Sequence, residues 1–205
     1  MTTASNKGMK QTKPSILELR SLSPVFGGCH WSASTSVSER RAWWAIIGSL
    51  VFFVLAPGTI AGWVPFWLTG WHMQPPFLGV PGLRVAGASL LILGLASLVE
   101  SFLRFATVGL GTPAPIAPPT RLVVSGQYRH VRNPMYVAIL GMLVGQSLIL
   151  GSTVLLRYAL VVWLVFHAWV LIYEEPKLMA QFGPSYEAYR QNVRRWWPRI
   201  RPWSG

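Results

Sequence analysis

Residues 125–136 read SGQYRHVRNPMY, so two arginines, a histidine and an asparagine stand immediately before a long apolar run. Pro134 suits the first position of a helix, because a helix start cannot pair the N–H that proline lacks. Asn133 then falls at the N-cap, where its side chain can accept an orphaned backbone N–H. A helix start carries partial positive charge and free donors. Arg129 and Arg132 add full charges beside it. Together these residue types make a site for a carboxylate or a phosphate. Anchoring to lipid headgroups accounts for the same arginines.

A second cluster lies in residues 171–198, LIYEEPKLMAQFGPSYEAYRQNVRRWWP. Glu174 and Glu175 are adjacent, and the whole chain has only six acids, all glutamate. Such a pair can hold an ammonium group or ribose hydroxyls, or it can balance Lys177 at a solvated helix end. Spacings of three and four put Tyr186, Tyr189 and Arg190 on one broad helical face. That face can wall an aromatic, cationic ligand, or pack the helix onto the bundle or the bilayer surface. Trp196, Trp197 and Trp203, interleaved with arginines, suit a membrane interface and carry no catalytic role.

Three weaker signals remain. Gly109 and Gly111 open a proline-rich loop, GLGTPAPIAPPTRLVVSG. They follow a hydrophobic helix rather than a strand, so the dinucleotide-binding reading fails, although glycines still permit close backbone approach to a ligand. The prolines keep this loop extended, and residues 122–124 are expected to tuck back against the membrane. Glu100 and Arg104, four apart, are expected to pair. Glu100 stays a ligand candidate because ionisable groups in apolar spans are costly. His167 lies one heptad before Glu174 and is expected to be a buried, hydrogen-bonded histidine.

The elements that must position these groups follow from composition. The chain is 52% hydrophobic and 12% charged, with a mean hydropathy of +0.40. Soluble domains are roughly 25% charged, so a membrane protein is expected. Runs of about 20 apolar residues mark spans at about 42–63, 82–105, 134–150 and 153–173, the first kinked at Pro57 and Gly58. Gly151 and Ser152 turn the chain between the last two. Residues 64–81 are uncharged but broken by prolines, which suggests an interfacial or re-entrant connection. Sixteen of the eighteen Lys and Arg residues fall on one side of this arrangement. The positive-inside rule then puts both termini in the cytoplasm. The expectation is an all-α membrane protein of about four transmembrane helices with a C-terminal cytoplasmic helix. Its location would be a bacterial inner membrane, with the site facing the cytoplasm. Residues 1–40 are polar and expected to form a disordered tail before a membrane domain at 41–205. Cys29 is the single cysteine, so an internal disulfide is impossible and no metal site is suggested. Nucleic-acid binding fits poorly, because the basic residues track membrane boundaries.

The order of motifs across 109–198 resembles integral-membrane S-adenosylmethionine methyltransferases of the isoprenylcysteine carboxyl and phosphatidylethanolamine N-methyltransferase group. The resemblance implies an S-adenosylmethionine pocket built from the cytoplasmic ends of the last spans and the C-terminal helix. Gly109 and Gly111 match the family's GxG element. Tyr128, Arg132, Pro134 and Tyr136 match its Y-x-x-x-R-[HN]-P-x-Y element. Glu174 and Glu175 match its paired glutamates, and Phe182, Gly183, Tyr186 and Tyr189 match the FG-x-x-Y-x-x-Y that follows. Arg132 and Asn133 are the candidates for a catalytic role. Prenylcysteine enzymes usually carry His-Pro where this chain has Asn133-Pro134. The implied acceptor is a lipid or other lipophilic small molecule. The alternative is a non-enzymatic scaffold or lipid-binding protein with a basic cytoplasmic face.

Overall fold

The computed structural model describes residues 51, 54–108 and 122–204, without the side chains of 105–108. The expected N-terminal tail, half of the first expected span and the loop bearing Gly109 and Gly111 lie outside the described residues. All regular structure among the described residues is helical. The helices are α1 (Val54–Thr69), α2 (Gly82–Val108), α3 (Pro134–Leu150), α4 (Thr153–Phe182) and α5 (Pro184–Asn192). Gly82–Arg104 and Thr153–Phe182 are long and apolar enough to cross a membrane; α1 and α3 are shorter apolar helices.

Two prolines inside α1 and α4 are accommodated in the same way. A proline removes one helical hydrogen bond and presses on the carbonyl four residues back. Each helix widens into a π turn just before its proline: Thr59–Trp63 before Pro65, and Val170–Glu174 before Pro176. In α1 the Ile60 and Ala61 carbonyls are satisfied by side chains. Tyr158 Oη donates to Ile60 at 3.1 Å and Gln146 Nε2 to Ala61 at 2.7 Å. Neighbouring helices thus repair the backbone, as an apolar solvent requires. The helix therefore continues past Trp63 to Thr69, so residues 64–69 are helical rather than part of the connection. α4 likewise runs beyond Tyr173 to Phe182.

α2 and α3 form the tightest helix pair. A Cβ on Gly87 would sit 2.7 Å from the Gly145 carbonyl oxygen, and one on Gly145 would sit 2.6 Å from the Gly87 carbonyl oxygen. One heptad on, a Cβ on Gly94 would lie 2.9 Å from the Ala138 carbonyl oxygen. Small residues at heptad spacing let the backbones touch, which is how helices associate where no hydrophobic effect drives them together. Leu98, Ala138, Ile139, Leu143, Ala159 and Val162 build the core beside this seam. Outward, Ile92, Leu93 and Leu103 of α2 and Leu160, Val161 and Val165 of α4 are exposed, as suits contact with acyl chains.

The α3–α4 turn is where the sequence placed it. Gly151 adopts φ 68°, and a Cβ there would collide with the Pro75 carbonyl oxygen at 2.2 Å. Ser152 caps α4 by accepting from Leu155 N. At the other end, residues 193–203 fold back along 129–133. Arg132 N donates to Arg194 O at 2.9 Å, Arg199 N to His130 O at 2.9 Å, and Trp203 N to Arg129 O at 3.0 Å.

Candidate functional site

The carboxylate of Glu175 is the hub of the site. α4 carries it just past its π turn and buries it to 8% exposure. Arg195 grips it with two hydrogen bonds, Nε to Oε1 at 2.7 Å and Nη2 to Oε2 at 2.9 Å. This is the two-pronged geometry that a planar guanidinium allows. Arg132, just before α3, brings Nη1 to 3.0 Å from Oε1. That contact is an ion pair lying off the N–H direction. Arg132 Nη1 and Nε are buried without a hydrogen-bond acceptor, on a side chain only 10% exposed. Two guanidiniums therefore share one carboxylate, and one of them keeps donors to spare. The hydrogen bonds to Glu175 hold the Arg195 pKa above its ordinary value.

Glu174 points elsewhere, because adjacent helical residues do not face each other. Its Oε2 accepts from Tyr136 Oη at 3.0 Å. The Tyr136 ring lies 4.5 Å from Phe166 and 6.5 Å from Trp196. Trp163, His167 and Trp196 complete an aromatic wall, in which Trp196 Nε1 donates to His167 Nδ1 at 3.0 Å. His167 is hydrogen-bonded as expected but only half-buried, and its Nδ1 must be the unprotonated nitrogen to accept.

The site corrects the expected role of Asn133. It occupies the N-cap position and Pro134 the first helical position, but the Asn133 side chain makes no cap hydrogen bond. Its Nδ2 donates instead to the Arg195 carbonyl at 3.3 Å. The returning C-terminal segment competes for this side chain and takes it, so Asn133 holds the backbone of the residue that grips Glu175.

Tyr186 and Tyr189 face inward from α5, 2% and 3% exposed. They pack with Val193 against Leu122, Val124, Leu178, Met179, Phe182 and Trp203. Residues 122 and 124 thus pack against α5, where a return to the membrane was expected, because its aromatic face offers them burial. Tyr189 Oη donates to the Tyr128 carbonyl at 2.6 Å. Burial pushes the Tyr128, Tyr186 and Tyr189 hydroxyls above their ordinary pKa, so they remain donors at neutral pH. Arg190 does not share this face in effect: it is exposed and pairs with Glu187 at 3.0 Å.

The fold therefore brings together Tyr128, Arg132, Asn133, Pro134, Tyr136, Glu174, Glu175, Tyr186 and Tyr189. Gly109 and Gly111 lie outside the described residues. Sequence reasoning missed Arg195 and Trp196. Both sit in a run of arginines and tryptophans indistinguishable from a membrane-interface anchor until the chain folds back.

Residues 83–185, just over half the chain, match a family described as phospholipid methyltransferase. The chain is also 40% identical over 73 residues to a protein-S-isoprenylcysteine O-methyltransferase of Schizosaccharomyces pombe, covering 35% of this chain. The match spans 30% of that relative's length. No solved structure matches.

Proposed function

The chain belongs to the phospholipid methyltransferase family, and on that premise we propose that it transfers a methyl group from S-adenosylmethionine to a lipophilic acceptor at the cytoplasmic membrane face. The observation that carries this reading is the meeting of Arg132, Glu175 and Arg195 within 3.0 Å. Two positive charges against one negative, with buried Arg132 donors lacking an acceptor, suit the carboxylate of the cofactor's amino-acid end. The residues present therefore fit this group.

In this proposal Arg132 holds that carboxylate and Glu175 holds Arg132 and Arg195 in place. Glu174, fixed by Tyr136, takes the ammonium or the ribose hydroxyls. Gly109 and Gly111 let the backbone approach the cofactor, and Pro134 sets the start of α3. Tyr136, Phe166, Trp163 and Trp196 exclude water and offer ring faces to a cation. Tyr128, Tyr186 and Tyr189 hold α5 against the segment that bears Arg132. When bound, S-adenosylmethionine supplies a methyl group already activated by its sulfonium. The protein's contribution is then alignment of donor and acceptor, which can lower a barrier by about 7–11 kcal/mol. A carboxylate acceptor needs no general base, whereas an amine must first lose a proton. The S. pombe relative's name suggests the former and the family description suggests a phospholipid. Asn133, where prenylcysteine enzymes usually have histidine, leaves the acceptor class open to assay. The charge distribution supports an arrangement of four spans with both termini inside, and the acceptor enters from the bilayer between helices.

Calorimetric titration of S-adenosylmethionine into detergent-purified protein tests the proposal. Binding should vanish in Arg132→Ala and persist at high salt, because buried charges are screened little. Membranes incubated with labelled cofactor should then show which lipid fraction gains label. Absence of binding to the wild-type protein overturns the reading.

A further inference from the structure

Residues 193–203 bring Arg195 to Glu175, yet they form no helix or strand of their own. Three successive residues pin this segment. The Arg194 carbonyl accepts from Arg132 N at 2.9 Å and the Arg195 carbonyl from Asn133 Nδ2 at 3.3 Å, both from the entry to α3. The third pin comes from α4, where Trp196 Nε1 donates to His167 Nδ1 at 3.0 Å. Trp197, the next residue, is 75% exposed. Anchoring on the C-terminal side of Arg195 therefore falls first to Trp196.

That pin has a protonation state built into it. An indole N–H can only donate, so His167 must offer the Nδ1 lone pair and carry its ring proton on Nε2. A protonated imidazole has N–H on both nitrogens. Trp196 would then meet a donor, and the bond is lost. The stack of His167 on Trp163, with ring centroids 5.4 Å apart and planes at 28°, survives as a cation–π contact. Protonation thus leaves His167 in place on α4 and delivers its effect to Trp196. No ion pair involves His167 among the described residues. The charged and titratable groups around the pair are few. α3 brings Tyr136, whose ring lies 6.5 Å from Trp196, and α1 has no such group between residues 54 and 69. On α4, Glu174 stands one heptad on with Oε2 taken by Tyr136, and Tyr173 turns to Trp169 and Lys177. The returning segment brings Arg195, bound to Glu175.

We propose that His167 is a positioning residue: in its neutral form it holds Trp196, and through it Arg195 on Glu175, and it releases both on taking a proton. The inference rests on the reading of Arg132, Glu175 and Arg195 as the site for the cofactor's carboxylate. Trp196 also stands in the aromatic wall beside Tyr136, whose hydroxyl fixes Glu174. One hydrogen bond therefore governs the surroundings of both glutamates. Cofactor affinity falls as pH drops through the range in which histidine side chains gain their proton, about pH 8 to 5.

Calorimetric titration of S-adenosylmethionine into the detergent-purified full chain, in steps from about pH 8 to about pH 5.5, tests it. The wild type should lose about fivefold in affinity across the range, the effect of one hydrogen bond and a stranded donor. His167→Asn sets Oδ1 where Nδ1 stood, so it accepts from Trp196 and does not titrate. It should show no such fivefold step, and at pH 8 it should bind more tightly than His167→Leu. Trp196→Phe keeps a ring and removes the N–H, so it should bind about fivefold more weakly than wild type at pH 8. A second readout needs no cofactor. In protein labelled with nitrogen-15 tryptophan, the indole signal that Trp196→Phe removes should shift with pH in the wild type and stay fixed in His167→Asn. A wild type without the affinity step, or a step that persists in His167→Asn, overturns the inference. Full affinity of Trp196→Phe at pH 8 overturns the route through Trp196. A wild type that binds no cofactor at any pH overturns the proposed function instead. The indole signal then decides the inference: indifference to pH overturns it, and a shift confined to the wild type upholds it.

Discussion

Glu175→Gln is the sharpest test of the site, because it removes one charge and almost no volume. In the native protein that carboxylate faces Arg195 at 2.7 and 2.9 Å and Arg132 at 3.0 Å. After substitution two guanidiniums, 25% and 10% exposed, face each other with no counter-charge. Breaking a buried pair by removing one partner costs about 3–5 kcal/mol. The quarter-exposed Arg195 retains some hydration, so the lower end, about 3 kcal/mol, applies. For a chain of this length that corresponds to a fall in melting temperature of about 6–12 °C. Intrinsic-fluorescence melting in detergent reads the change directly. Arg195→Met makes the opposite perturbation: it leaves a one-to-one Arg132–Glu175 pair and should cost clearly less. A Glu175→Gln shift below about 2 °C, or one smaller than that of Arg195→Met, refutes the view that Glu175 is the counter-charge of both arginines.

Three further outcomes follow from the fold. Gln146→Leu strips the Ala61 carbonyl of its donor and should cost about 1–2 kcal/mol in denaturant melts; on a Pro65→Ala background, where a helical N–H is restored, the same change should cost clearly less. Gly145→Ala forces apart backbones already in contact with Gly87 and should destabilise by about 1–3 kcal/mol, whereas Gly141→Ala, with nothing within 4 Å of its Cβ, should not. Alkaline pH should unfold the protein in a defined window. Tyr128 and Tyr189 resist ionisation when buried, so the unfolded chain loses protons first. Stability is then intact below pH 10 and falls above it by about 1.4 kcal/mol per pH unit for each tyrosine. Tyr189→Phe, read by the same melts, should reduce that slope.

Much of the molecule was legible along the chain. The bounds of α3, the Gly151–Ser152 turn and the Glu100–Arg104 pair came from residue type and spacing, since each rests on interactions within a few residues. The helical class followed from apolar runs too long for anything else. The site was legible as two clusters and a family resemblance, and the fold unites nine of its expected residues. What sequence could not show is what depends on the chain's return path. Asn133 satisfies every local rule for a cap, yet its side chain goes to Arg195, sixty-two residues away. Arg195 itself looks like one more interfacial arginine until residues 193–203 fold back along 129–133 and set it against Glu175. Residues 64–81 read locally as a proline-broken connection, yet α1 runs through Pro65 to Thr69, and α4 runs through Pro176. Gln146 and Tyr158, brought from other helices, supply the hydrogen bonds lost near the first of them. Local propensity determined where helices start and turn, because those energies are spent within one or two turns of chain. Only tertiary structure decided which charges meet, because a buried ion pair is settled by whichever partners the packing delivers, not by their distance in sequence.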